Sequence, residues 1–342
     1  MSSPLAAVSS AAEVSSPGPL WVQLVKAVII FAVVLQLAPA LVWLERRLLG
    51  RFQSRLGPNR VGPAGLLQPV ADVIKLVSKE SSTPTTAVPW MMAIAPVISI
   101  GTAVLTLAII PFGAPGAYGG EFALAGIDVS IGILYFLAFG SLAFYGLMLG
   151  GWASGSKYSF LGSMRAAAQL VSYEVAIGLS LLGVAIAAGS LSLVDIVAAQ
   201  DKIWFAVPQV VGFLIFLVAG FAEAARPPFD LPEADAELVA GYNTEFGGMR
   251  FGTFFLAEYI EIIVISGVAA AVFLGGWHGP GPEFLGPTWM FLKMAVLVVL
   301  FVWVRATLPR LRYDQLMSLG WKILLPLATL NVLVTATLVV LL

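Results

Sequence analysis

Eight separate apolar stretches dominate this sequence, at 20–44, 90–110, 129–150, 168–189, 204–225, 253–275, 288–305 and 320–341. About 20 apolar residues are enough for a helix to cross ~30 Å of hydrocarbon. Backbone groups in lipid must satisfy one another, so stretches of this length are read as helices. A strand barrel would instead show alternating segments of ~10 residues. The pattern predicts an all-α integral membrane protein with eight transmembrane helices in one polytopic domain over residues 1–342. Composition agrees, at 59% hydrophobic and 11% charged residues, against about 45–50% and about 25% in soluble chains.

The same composition excludes several function classes. A net charge of −1 gives no bulk attraction for nucleic acid, and a chain this apolar is not a disordered one. There is no cysteine and one histidine, His278. Iron–sulfur clusters need several thiolates, and haem and structural zinc need ligand sets that this chain lacks. Nucleophilic catalysis by Ser–His or Cys–His pairs is set aside on the same ground. No phosphate-binding glycine motif follows a strand, so nucleotide binding is not expected. Residues 1–20 carry no Lys or Arg, so the N-terminus does not read as a signal peptide and the first apolar stretch is expected to remain as a span.

Charge placement sets the orientation. Arg46, Arg47, Arg51, Arg55, Arg60, Lys75, Lys79, Lys157, Arg165, Arg226, Arg250, Arg305, Arg310, Arg312 and Lys322 all follow odd-numbered spans or, for Lys322, open the eighth. Only Lys26, Lys202 and Lys293 fall toward the other face. Positive-inside asymmetry then places the odd-numbered loops in the cytoplasm and both termini outside. The long cytoplasmic loops are those after spans 1 and 5. Trp204, Trp277, Trp289, Trp303 and Trp321 lie at span ends, as interfacial anchors do.

Within the first loop, 64–80 reads AGLLQPVADVIKLVSKE. Leu66, Leu67, Val70, Val73, Ile74 and Val77 share one helical face, and Gln68, Asp72, Lys75 and Lys79 fill the other. This predicts an amphipathic helix in the interfacial plane. It is either a surface anchor or a wall of a lipid-accessible cavity. The neighbouring arginines, Arg46 to Arg60, suit lipid phosphates or a protein or ligand partner.

Four acids fall in or at the edge of spans: Glu174, Glu223, Glu258 and Glu261. A charge at that depth costs at least ~2.5–3.5 kcal/mol, so it marks a function or a specific pair. Lys293 is read as the one base among them, near enough to the outer surface to snorkel. Too few buried bases are expected to pair the four acids. Unpaired carboxylates in a low dielectric favour the neutral form, the state that a proton relay requires. The alternative is that some acids hydrogen-bond to Tyr or backbone, or reach the interface. The loop after span 5 adds Asp230, Glu233, Asp235, Glu237 and Glu245. These acids could pair with Arg226, Arg250 and the first-loop arginines, or form a proton path. A calcium site is disfavoured, because no EF-hand spacing exists. His278 reads as a surface residue.

The blocks ERRLLGRFQSRLGPNRVGPAGLLQPVADVIKLVSKE (45–80), GWASGSKYSFLGSMRAAAQLVSYE (151–174), AEAARPPFDLPEADAELVAGYNTEF (222–246), AEYIEI (257–262) and WVRATLPRLRYDQLMSLGWK (303–322) carry a resemblance. In that order they resemble the H-subunit family of bacterial NADH:quinone oxidoreductase, the respiratory complex I family that includes mitochondrial NADH dehydrogenase subunit 1. The resemblance implies an eight-helix translocase subunit in the bacterial plasma membrane. It implies quinone as substrate, entering a chamber from the bilayer. Flavin and iron–sulfur centres lie in partner subunits of the family, so no metal, haem, flavin or iron–sulfur cluster is expected here. Implied partners are the peripheral quinone-site and iron–sulfur subunits, and the antiporter-like and small membrane-arm subunits. The family's acidic path maps onto Glu174, Glu223 and Glu258, with loop acids Asp230, Glu233, Asp235, Glu237 and Glu245. Chamber positions map onto Glu45, Arg46, Arg47, Arg55, Asp72, Lys75 and Lys79, together with Phe229. Two departures stand out. Some relatives carry an acid in span 3 where this chain has Ser141, and Glu261 is extra relative to some.

The reading is therefore energy coupling, with buried carboxylates linking quinone reduction to proton movement. Its rivals are a homologous component of a membrane-bound hydrogenase or deazaflavin-dependent dehydrogenase, a stand-alone transporter or proton channel, and a structural anchor.

Overall fold

A computed structural model describes residues 20–114, 127–232 and 239–341, without the side chains at 20, 22–24, 26–31, 34 and 35. All regular structure among these residues is helical. In chain order the helices are α1 (Leu20–Phe52), α2 (Gln68–Ser78), α3 (Pro89–Leu107), α4 (Gly132–Ala153), α5 (Lys157–Ala188) and α6 (Leu193–Ala198). There follow α7 (Val210–Glu223), α8 (Gly248–Phe273), α9 (Gly286–Thr307), α10 (Tyr313–Leu319) and α11 (Leu325–Leu341).

Among the described residues, six helical segments are long and apolar enough to cross a membrane: Pro89–Leu107, Gly132–Ala153, Lys157–Ala188, Gly248–Phe273, Glu283–Thr307 and Tyr313–Leu341. The first expected span lies in α1, a helix of 33 residues. The fifth departs most from expectation. In place of 204–225, α7 has only 14 residues. The chain before it is held in turns, because Gln200 Oε1 accepts from the Phe205 amide at 3.1 Å and the Ala206 amide donates to the Phe273 carbonyl at 2.8 Å. At its other end, Ala225 takes φ 48° and Pro227 and Pro228 follow. Proline cannot continue a helix, so α7 stops at Glu223.

Two further boundaries move. The helix expected from 168 begins at Lys157, so α5 carries a polar first turn. The expected helix at 64–80 is interrupted, because Ala64 and Gly65 adopt φ 53° and 75°. The regular part, α2, is confined to Gln68–Ser78 and buries none of its residues within the chain.

Helix α8 is the hub. It packs against α1, α2, α3, α6, α7 and α9, and nearly every residue from Tyr259 to Phe273 is buried. Around it, α3 packs on α4, α4 on α5, and α5 on both α7 and α11. Small residues let these helices approach closely. A Cβ on Gly162, for instance, would lie 2.8 Å from the Gly241 Cα. The large buried side chains include Tyr173, Phe216, Phe254 and Phe273.

Candidate functional site

The early stop of α7 decides what the site contains. It leaves Glu223 on the last helical turn and drops Arg226 directly below it, inside the bundle. Arg226 is 6% exposed and Glu45 is 4% exposed. Arg226 Nε lies 2.9 Å from Glu258 Oε1, and its Nη1 lies 3.9 Å from Glu45 Oε1. Arg305 of α9 pairs with the same Glu45 oxygen. The guanidinium also stacks over Tyr259, 4.4 Å from the ring centre. Four segments thus converge on a cluster of two bases and two acids that is neutral in sum. A charge this deep persists only when paired, and here each charge has an opposite one.

Of the four acids read in the spans, Glu258 gains a base in Arg226, while no ion pair reaches Glu174, Glu223 or Glu261 among the described residues. Arg226 reads as a loop residue because prolines follow it, yet the loop folds inward and delivers it to Glu258. Lys293 reaches the loop beyond α8, donating to the Gly276 and His278 carbonyls at 2.8 and 2.6 Å, and sits 4.5 Å from the Trp204 ring centre. His278 is half-buried, its Nε2 2.9 Å from the Val197 carbonyl, so it is not a free surface residue. Trp277, expected at an interface, is buried at 6% exposure.

Beside the ion cluster lies a partly enclosed cavity of about 50 Å³. Its carboxylates are Glu223 from α7 and Glu258 and Glu261 from α8. Ser99 and Thr106 of α3 contribute hydroxyls, and Gly140, Pro232 and Tyr242 share the rest of the wall with apolar residues such as Phe136 and Phe254. A buried water needs roughly 10–15 Å³ and two to four polar partners, so this space suits a few waters. Glu258 and Glu261 are one turn apart on the same face. The hydroxyls of Ser99 and Thr106 donate to backbone carbonyls one turn earlier, leaving oxygen lone pairs to accept from the cavity.

Glu174 joins this site through Ser141, whose hydroxyl donates to the Glu174 carboxylate. The span-3 position where some relatives carry an acid therefore holds a hydrogen-bond partner of Glu174. Its neighbour Gly140 faces Glu223: a Cβ there would lie 3.1 Å from Glu223 Oε1. The pair Gly140–Ser141 thus separates two carboxylates and touches both.

The remaining sequence-derived positions divide. Asp230 follows the buried Phe229 on the same loop, and Glu245 lies beside the short turn at Gly241–Asn243; neither lines the cavity. Glu233, Asp235 and Glu237 fall outside the described residues. Among the chamber positions, Arg46 pairs with Asp72 at 2.6 Å, and Lys75 lies 3.7 Å from Asp72. Arg47 stacks over Trp43. Arg55 and Lys79 are exposed. Phe229 packs in the core, 5.8 Å from the Tyr173 ring.

A second, apolar crevice of about 530 Å³ opens between α1, α2, α8 and α9. It is lined by Pro39, Trp43 and Leu44 of α1, Leu66, Pro69 and Val70 at the start of α2, and Met294 and Val298 of α9. None of the charged chamber positions lines it. Trp43, which sequence reasoning does not single out, links the two: it is in the crevice wall and carries Arg47 on its ring. A crevice of this size and polarity falls in the range of sites for apolar ligands.

These features define a class: an all-helical membrane protein with a paired ion cluster, a partly enclosed cavity holding three carboxylates, and an apolar crevice. The chain belongs to the NADH dehydrogenase family, whose sequence profile matches residues 25–336. It is 56% identical over 316 residues to the NADH-quinone oxidoreductase H subunit 1 of Geobacter metallireducens, covering 92% of this chain and 95% of that one. The H subunit 2 of Geobacter sulfurreducens is also 56% identical, over 312 residues, covering 91% and 94%. The H subunit of Thermomicrobium roseum is 50% identical over 315 residues, covering 89% and 92%.

Proposed function

We propose that this chain is the membrane subunit of a proton-pumping NADH:quinone oxidoreductase, walling the quinone's path and linking quinone reduction to proton translocation. The observation that carries the reading is the convergence of Glu223, Glu258 and Glu261 on one partly enclosed cavity. Family membership supports the assignment to this enzyme complex. Other subunits of the complex are its partners and supply the electrons. The chain crosses a bacterial plasma membrane eight times, with α1, α7 and the six long segments as the spans. The end carrying α2 and the arginines faces the cytoplasm, and both termini face outward.

In this account quinone reaches the chamber along the apolar crevice, and α2 forms part of the crevice wall. Reduction places negative charge near the inner end of the protein. A charge in such a low-dielectric region acts more strongly than it would in water. It draws on Arg226 and Arg305 and so weakens their hold on Glu45 and Glu258. Glu258 then exchanges a proton with Glu261 and Glu223 through cavity water, and Glu223 with Glu174 past Gly140 and Ser141. The loop acids Asp230, Glu233, Asp235, Glu237 and Glu245 feed this path from the cytoplasm.

Photoreactive quinone applied to membranes and read by peptide mapping tests the crevice. Labels at 36–44, 66–70 or 291–298 are expected, and labelling confined to other subunits would contradict it. The relay is tested separately with Glu174→Gln and Glu223→Gln in the assembled complex, where proton pumping should fall.

A further inference from the structure

Helix α7 ends inside the bundle, where its last carbonyls accept from the turn that follows, the Ala225 amide donating to Ala222 at 3.2 Å and the Arg226 amide to Phe221 at 3.4 Å. One of them, at Ala222, receives the side chain of Gln169 from α5 at 2.6 Å. The same amide nitrogen also donates to the Phe229 carbonyl at 2.8 Å. Only the nitrogen of the amide can face two carbonyl oxygens, so the orientation of the side chain is fixed by chemistry. Gln169 is fully buried, and its own amide oxygen has no hydrogen-bond partner. The residue thus forgoes its acceptor bond while both of its donors are used. Those donors bracket the stretch from Ala222 to Phe229, which contains Glu223 and Arg226.

The bracket has a further fixed side. Tyr173, one turn after Gln169, donates to the Leu316 carbonyl at 2.9 Å, and the Leu311 amide donates to the Pro228 carbonyl at 3.0 Å. Glu174 follows Tyr173 directly. A single face of α5 therefore holds the end of α7 and the loop beyond it, while the next residue on that helix is the Glu174 carboxylate.

We propose that Gln169 is a positioning residue for proton transfer, setting Glu223 and Arg226 in register with Glu174 by clamping the Ala222 and Phe229 carbonyls. The inference rests on the relay reading above. It does not need Gln169 to carry a proton itself. Without the clamp, the stretch between the two carbonyls can shift against α5. Glu223 then moves relative to Gly140 and Glu174, and Arg226 relative to Glu45 and Glu258.

Two variants of the assembled complex test this. Gln169→Met keeps the length of the side chain and removes both donors. Gln169→Glu keeps the shape, donates once as a neutral acid and not at all as a carboxylate. The charged groups on the segments it joins are Glu174 on α5, Glu223 and Arg226 within the clamped stretch, and Asp230 just beyond it. The readout is protons moved per quinone reduced, in proteoliposomes, normalised to assembled complex. With Gln169→Met this ratio is expected to fall about twofold or more, the range of coupling changes seen for single residues. With Gln169→Glu it should fall more steeply with rising pH than in the native complex. A native ratio and native pH profile in both would overturn the inference. So would a loss of both activities in strict proportion to lost assembly, which is the mark of a structural role alone. If Glu174→Gln and Glu223→Gln leave pumping native, the relay reading itself fails. If they abolish pumping while Gln169→Met and Gln169→Glu leave it native, only the Gln169 clamp fails.

Discussion

Two buried glutamines, at opposite ends of the bundle, show two ways of placing polar groups in a membrane protein. Gln200 uses all its hydrogen-bonding capacity. Its nitrogen donates to the Ile196 and Ala271 carbonyls at 3.1 and 2.8 Å, and its oxygen accepts from the Phe205 and Gly275 amides at 3.1 and 3.0 Å. Around it, Lys293 is tied to carbonyls, and Gln209 bridges Asn331 and Thr335 at 2.9 and 2.7 Å. Gln169 leaves its oxygen unpartnered, and Glu223 Oε2, close by, is unpartnered too. Buried polar groups are ordinarily paired, so an exception in a native structure asks for an explanation such as water or function. The satisfied end is architecture. The end with open hydrogen-bonding places is where the proposed relay lies.

The contrast between the two ends breaks most readily at Arg226. Replacing it with Met leaves Glu45 and Glu258 buried without their shared base, a change that typically costs about 3–5 kcal/mol. Denaturation of the purified complex, followed by loss of this chain from it, should show the effect. Adding Glu258→Gln to Arg226→Met should recover part of the loss. If Arg226→Met is as stable as native, the ion cluster is not what holds this end together.

Gln200→Leu sharpens the contrast. It strands two backbone amides and two carbonyls, and each unsatisfied buried group costs about 1–3 kcal/mol. Stability should drop while the proton-to-quinone ratio of the surviving complex stays native. A changed ratio would mean that the satisfied end also takes part in coupling.

How far the sequence revealed this division is clear from particular residues. Hydrophobic length announced the spans, because any segment that crosses lipid must be long and apolar whatever it packs against. The one clear failure of length, α7, comes with contacts distant in sequence: the Ala206 amide bonds the Phe273 carbonyl, and Gln200, which holds Phe205, is itself tied to Ala271 and Gly275. Glu174, Glu223, Glu258 and Glu261 were legible because acids in apolar runs are rare. Arg226 was not, since a base beside Pro-Pro looks like a loop residue until the loop is seen to fold inward. Gln169 left no signal at all. A lone glutamine in a helix is common, and its role depends on two carbonyls more than fifty residues away. The charged first-loop residues were visible, but the crevice beside them is walled by apolar residues that resemble any lipid-facing surface.

Smaller effects refine the picture at Gly140. A methyl group there meets Glu223 Oε1 at 3.1 Å, and a flexible carboxylate can give way by a few tenths of an ångström. Gly140→Ala should change stability by no more than about 1 kcal/mol, since Ala also favours the helix by ~0.5–1 kcal/mol. Its effect should appear in the proton-to-quinone ratio. A native ratio with Ala, and again with the bulkier Gly140→Val, would mean that the Glu223 position is not critical.

The smallest effect belongs to Asp128, on the turn before α4. Partial burial, then the charge of Asp195, holds its carboxyl above the usual carboxylate range, with the Ser192 hydrogen bond opposing them. A folded value above the unfolded one means the folded state keeps its proton longer. The favourable contribution is complete below the ordinary carboxylate value and is lost as pH rises through the raised one. Asp128→Asn should therefore be slightly stabilising at neutral pH and neutral in acid. The opposite pH trend in thermal unfolding would contradict the assignment.

The proposed coupling depends on Glu223, held between Gly140 and the cavity, passing protons when quinone is reduced. The most direct test is the number of protons moved per quinone reduced by Glu223→Gln complex in proteoliposomes, with assembly verified on the same sample. The expected result is a complex that assembles at native levels and moves clearly fewer protons per quinone, because an amide has the shape of the acid but cannot release a proton. A native ratio at native turnover would contradict the claim.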